Sequence, residues 1–228
     1  MMHLESKHKA QSKKGGLTLS MKNLFSVDNM FFSFMGKISD LMILNFLWII
    51  CSLPIITIGA STTALYAVTL KLVNEEEGYL FKGFFKSFKE NLKKATIIWI
   101  IMLFVFFIIG VNLTFWIKYK SIAGYIPMSI ILGILFIFLP TEIYIFPILS
   151  NFKKNIKETI KYAFIISIKY LPYSLIIILI SSIFIGVTAI FPFTILFMIF
   201  VGFAFYAYIN SYLFRVIFKK CTPYLEEI

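Results

Sequence analysis

Thirty consecutive residues, Leu41 to Leu70, carry no charge. As one helix they would be ~45 Å long at 1.5 Å per residue, against ~30 Å of bilayer hydrocarbon. Pro54 stands near the middle, where its ring and missing N–H break a helix. Gly59-Ala-Ser-Thr-Thr follows, where the chain can turn or repack. The stretch therefore predicts a hairpin of two apolar helices, about 36–53 and 57–73. The whole chain is 60% hydrophobic and 14% charged, whereas a soluble domain has about 45–50% and 25%. The fold class expected is all-α: a polytopic membrane bundle of about six helices.

The remaining spans are expected at 95–116, 126–149 (interrupted by Pro140 and Pro147), 171–190 and 193–214, with Phe191-Pro192 turning the chain. Six spans put both termini on one face. Twenty of the 22 lysines and arginines then fall on that face, and Lys118 and Lys120 on the other. Basic residues concentrate on the cytoplasmic side, so both termini are expected in the cytoplasm. A single crossing by 41–70 would largely erase the bias. Residues 1–23 are polar and lysine-rich, with no apolar core or cleavage site. They read as a disordered cytoplasmic tail, not a signal peptide. A transmembrane domain over 24–218 and a short cytoplasmic tail over 219–228 complete the division.

Between the second and third spans lies a basic elbow. Glu75, Glu76 and Glu77 suit a helix start, where negative charge is favoured. Phe81, Phe84, Phe85, Phe88 and Leu92 then share one face, and Lys82, Lys86, Lys89 and Lys93 another. That pattern predicts a helix lying in the headgroup plane. A second elbow, Ser150 to Lys161, carries Phe152 and Lys153. Phe88-Lys-Glu-Asn-Leu-Lys93 matches Phe152-Lys-Lys-Asn-Ile-Lys157 at an offset of 64 residues. Internal repeats occur in transporters, but any inner-face elbow needs Phe and Lys, and this plainer reading is preferred. Phe84, Phe88, Lys86, Lys89, Phe152 and Lys153 are thus expected membrane-interface residues, with docking of a partner's helix as the alternative. The net charge of +11 lies beside apolar runs, which points to anionic inner-leaflet headgroups rather than nucleic acid.

Four polar residues within or at the ends of spans are candidate sites: Glu142, Asn210, Asp40 and Asn45. Glu142 is the sharpest, because an ionisable group at that depth costs several kcal/mol unless paired or wetted. It reads either as a proton or ligand site, or as a structural partner of Lys71, Arg215, Asn210 or a tyrosine. Asp40, three residues after Lys37, reads as half of a surface ion pair. Asn45, one turn deeper, can bond across helices. Gly59/Thr63 and Ala60/Ala64 are small residues four apart, which suits close helix packing. The only histidines are His3 and His8, and two cysteines imply no disulfide framework. No phosphate-binding loop, metal cluster or Ser/His/Asp set is present. No catalytic residue, metal or cofactor is expected, and the chain is not read as an enzyme.

Several stretches resemble the YesL-like membrane proteins of Gram-positive bacteria. They are Asp28-Asn-Met-Phe-Phe-Ser-Phe-Met, Leu44 to Tyr66, Glu76-Glu-Gly-Tyr79, Phe84 to Asn91 and Phe146-Pro-Ile-Leu-Ser-Asn-Phe152. Leu-Pro-Ile-Ile-Thr-Ile-Gly is the most specific, and Met30 departs from an expected proline. The resemblance spans about 21–220. It implies a domain of unknown function that accompanies carbohydrate uptake systems, with no catalytic residue to carry over. A non-enzymatic accessory or scaffold protein, partnered by a transporter or other membrane protein, is the reading it favours. A small carrier or channel with Glu142 on its pathway is the alternative.

The topology has a direct test. In a Cys51→Ala, Cys221→Ala background, cysteines at Ile56 and Ser121 should react with an impermeant thiol reagent from outside. Cysteines at Ser87 and Asn155 should not, and outside labelling at Ser87 would refute the hairpin.

Overall fold

The computed structural model describes residues 32–76, 78–119, 124–152 and 154–226, with side chains to residue 221. The chain divides into two units, 1–41 and 42–228. The described part of the first is helical. In order, the elements are α1 (Phe32–Ser52), a 3-10 turn (Ile55–Thr57), α2 (Ile58–Val73), α3 (Leu80–Tyr119), α4 (Tyr125–Asn151), α5 (Ile156–Lys169), α6 (Leu171–Ile190), α7 (Thr194–Phe197), a π-helical segment (Met198–Gly202) and α8 (Phe203–Glu226). Six helical stretches are long and apolar enough to cross a membrane, and no strand occurs among the described residues. The all-α polytopic reading holds.

The expected hairpin forms at Pro54. α1 stops at Ser52, and the Pro54 carbonyl accepts the Thr57 N–H at 2.9 Å. The Thr57 hydroxyl lies 2.7 Å from both the Cys51 and Pro54 carbonyls. It thus covers carbonyls left exposed by the ending helix. Trp48 Nε1 donates to Thr62 Oγ1 at 3.2 Å and clasps the two arms.

α2 is the central helix: 56% of its span is buried, against 11–28% for the other five. Its Gly59, Ala60, Ser61, Thr63 and Ala64 are all buried. A Cβ on Gly59 would sit 2.7 Å from the Ala95 carbonyl oxygen and 2.8 Å from Trp99 Cβ. Only glycine permits that approach of α2 to α3. Thr63 Oγ1 returns to the Gly59 carbonyl at 2.8 Å, and Ser61 Oγ to that of Thr57 at 3.1 Å. Ser61 and Thr63 can therefore occupy this seam without stranding their hydroxyls.

Two expectations about the first elbow are corrected. Residues 79–94 do not form a separate helix in the headgroup plane: α3 runs unbroken through 40 residues, about 60 Å. No proline falls within it to end the helix. Gly83 faces Val68 as Gly59 faces Ala95, so the first turns of α3 lie antiparallel along α2. Phe84 is fully buried in protein and stacks on Phe88 at 6.3 Å. Glu75 and Glu76, second, do not start a helix. They close α2: the Glu76 N–H reaches the Lys71 carbonyl at 3.1 Å and the Glu75 N–H that of Leu72 at 3.3 Å. Glu75 adopts the left-handed conformation this terminus needs, at φ 58°. Glu77 lies outside the described residues.

The internal repeat is one of sequence only. Residues 88–93 are mid-helix, whereas 152–157 is where α4 ends and α5 begins. Phe152 is buried with its ring 5.4 Å from Phe218. Glu158 accepts the Asn155 N–H at 3.2 Å, as in a capping box. Lys153 lies outside the described residues. α5 is a separate 14-residue helix that the span pattern did not show. α4 stays one helix through Pro140 and Pro147, and α6 coincides with the expected 171–190. The final helix continues to Glu226, beyond 218.

Asn45 explains how that last span tolerates a π-helical segment. Wider i→i+5 turns disturb the regular backbone ladder. Asn45 Nδ2 donates to the Met198 and Ile199 carbonyls at 3.0 and 2.7 Å, and its Oδ1 accepts the Ala204 N–H at 3.0 Å. One carboxamide on α1 thus repairs the ladder of another span.

Two substitutions test these contacts by thermal unfolding in detergent. Asn45→Leu should destabilise the fold by on the order of 1–3 kcal/mol, the cost of stranding buried backbone groups. Gly59→Ala should also lower the unfolding temperature, because the α2–α3 backbones must part. An unchanged midpoint for either would discard that contact as a determinant of the fold.

Candidate functional site: a polar cluster inside the bundle

α2, α4, α6 and α8 bring a set of polar side chains together. The apolar residues around them leave few partners, so each hydroxyl or amide must be satisfied locally. Tyr206 on α8 shares a 2.6 Å hydrogen bond with Ser181 on α6, and its ring lies 5.4 Å from that of Phe184. Ser174 Oγ donates to Tyr144 Oη at 3.1 Å, joining α6 to α4. Thr69 on α2 and Ser211 on α8 share a 2.8 Å bond. Tyr66 and Tyr144 both set their rings edge-on to Phe214, at 5.6 and 5.4 Å.

Asn210 is the exception. It is fully buried, one helical turn after Tyr206, and lies beside the hydroxyls of Tyr66 and Tyr206. Yet neither its Nδ2 nor its Oδ1 completes a hydrogen bond. An unpaired amide in an apolar medium costs roughly 1–3 kcal/mol on protein mutational scales. Glu142 is half-buried on α4 and acts electrostatically on Tyr206. Among the described residues it makes no hydrogen bond or ion pair. Two of its expected partners, Arg215 and Lys71, are elsewhere: Arg215 Nη1 donates to the Val73 carbonyl at 2.9 Å, and Lys71 is in the last turn of α2.

The structure therefore brings Glu142 and Asn210 around Tyr206 and places Asn45 at the π-helical segment. Asp40 lies in the first unit, half-buried, without hydrogen bond or ion pair among the described residues. The expected pair with Lys37 is not made. Tyr66, Tyr144, Tyr206, Ser174 and Ser181 were missed by the sequence reading. The signal for one pair was there: Tyr206 and Asn210 stand four apart on an apolar helix and so share a face.

The interface residues form a second locus. Lys86 and Lys89 are exposed. Lys94 Nζ donates to the Lys154 carbonyl at 3.0 Å, which ties the two basic stretches together just past the C-terminal end of α4. A groove of about 430 Å³ opens there, lined by Lys71, Glu76, Lys86, Glu90, Lys94 and Asn151 among others.

These features define a multi-pass helical membrane protein. A family model described as a protein of unknown function, DUF624, matches residues 41–113. That stretch holds the Pro54 hairpin and the Gly59 seam, while Glu142 and Asn210 lie outside it. No curated protein and no solved structure matched the chain.

Asn210 and Asn45 should respond oppositely to the same change. Asn210→Leu, which removes an unpaired amide while keeping its branched shape, should leave the unfolding temperature unchanged or raise it. A clear loss of stability would mean that the Asn210 amide is partnered in the folded protein.

Proposed function

We propose that this chain is a non-enzymatic accessory protein of the bacterial plasma membrane, with both termini cytoplasmic. Its basic end docks a partner membrane protein, and the YesL-like resemblance names a carbohydrate importer as the class to test. The observation that carries this reading is the Lys94–Lys154 hydrogen bond. It makes one surface of two lysine-rich stretches distant in sequence, around a groove that carries both charge signs. Such a surface suits recognition of a polar partner segment, where charge sets orientation and partner choice.

A second reading rests on a different observation. Asn210 and Glu142, neither with a hydrogen bond among the described residues, are what a polar pathway through the bundle would need. In that reading the chain is a small secondary carrier, with Glu142 exchanging a proton or holding a polar solute.

Two experiments separate them. Purified in mild detergent, the chain should retain permease subunits of a sugar importer, and Lys86→Glu with Lys89→Glu should release them while folding is kept. A protein always recovered alone would count against docking. In proteoliposomes, solute flux abolished by Glu142→Gln with the fold intact would replace the accessory reading by the carrier.

A further inference from the structure

An apolar groove of about 570 Å³ lies between α3, α4 and α5. Its walls include Ile98 and Met102 from α3, Ile137 and Phe138 from α4, and Ile160 and Phe164 from α5. Ile137 is 51% exposed and Phe164 43% exposed, so the groove opens to the outside of the bundle. Lys161 is the one charged residue on its wall. A second depression, about 460 Å³, continues it along the same two helices: Ile97 precedes Ile98 on α3, and Lys157 lies one turn before Lys161 on α5. This part is lined by Lys93, Lys94, Lys157 and Glu158. The Glu158 carboxylate is occupied by the Asn155 N–H at 3.2 Å.

We propose that this compound groove holds one anionic phospholipid, one of its acyl chains between α3, α4 and α5 and its phosphate among Lys93, Lys157 and Lys161. The proposal stands apart from the docking and carrier readings. Charge complementarity selects the occupant: besides Lys94, which is held by the Lys154 carbonyl, three lysines against one engaged carboxylate call for an anion, and the apolar part beneath them calls for a hydrocarbon. Dimensions agree. From Lys93 to Met102 the α3 wall extends ~14 Å at 1.5 Å per residue, close to one leaflet of a ~30 Å hydrocarbon core. Water cannot fill an apolar groove that faces lipid tails, so the bilayer's own chains are the available filler.

Native mass spectrometry of the full chain in mild detergent tests this with phosphatidylglycerol and phosphatidylcholine as probes. One phosphatidylglycerol should be retained in preference to phosphatidylcholine. Lys157→Gln with Lys161→Gln, both exposed positions, should cut its retention by about twenty-five-fold, roughly fivefold per lysine, at an unchanged unfolding temperature. Ile137→Trp should block retention of both lipids. Soluble glycerol phosphate should not displace the bound lipid. Equal retention of the two lipids, or no effect of the lysine pair, would overturn the proposal. So would displacement by glycerol phosphate, which marks a soluble-phosphate site, or a tightly held protein segment that excludes lipid until Ile137→Trp removes it.

Discussion

A bilayer offers no water to a broken backbone hydrogen bond, and the π-helical segment at Met198–Gly202 is where this chain meets that constraint most directly. Its carbonyls are served from another span, by Asn45 of α1. The same carboxamide also accepts from Ala204, so both of its polar ends are used. Neighbouring α8 residues then take their positions on this repaired ladder: Tyr206 toward Ser181, Ser211 toward Thr69, and Arg215 toward the end of α2. Asn210 sits in the same helix and shows the converse, a buried amide with no such use.

Packing in lipid has no water-driven term to press helix against helix, so close contact and local hydrogen bonds do the work. α2 shows how. Its small residues let α3 approach within contact of the backbone at Gly59, and its hydroxyls bond to their own helix. This explains why the most buried span is also among the least hydrophobic of the six. In a soluble core the order would be reversed, because burial there is driven by apolar area.

The two basic stretches illustrate charge handled by helix ends. Lys94 meets a carbonyl just beyond α4, and Arg215 meets one at the end of α2; cations are favoured near the carbonyl end of a helix. The Arg215 contact also consumes a carbonyl that the ending α2 leaves open. The basic end of the molecule is therefore ordered by its cations, and the grooves around it are shaped by the same residues.

Much of this was legible in the residues alone. Charge-free length, Pro54 and the distribution of lysines were enough for six spans and the hairpin, because crossing a bilayer is a one-dimensional requirement on each segment. Glu142, Asn210 and Asn45 were visible as polar residues in apolar runs, since their cost depends only on depth. What they touch was decided by tertiary structure. Asn45 and Ala204 are 159 residues apart, and no local period announces that a π-helical segment will need a carboxamide there. The Phe/Lys stretch misled for a related reason. An amphipathic face is the same pattern whether it meets headgroups or another helix, and only the presence of α2 beside it, at Gly83 and Phe84, chose the second.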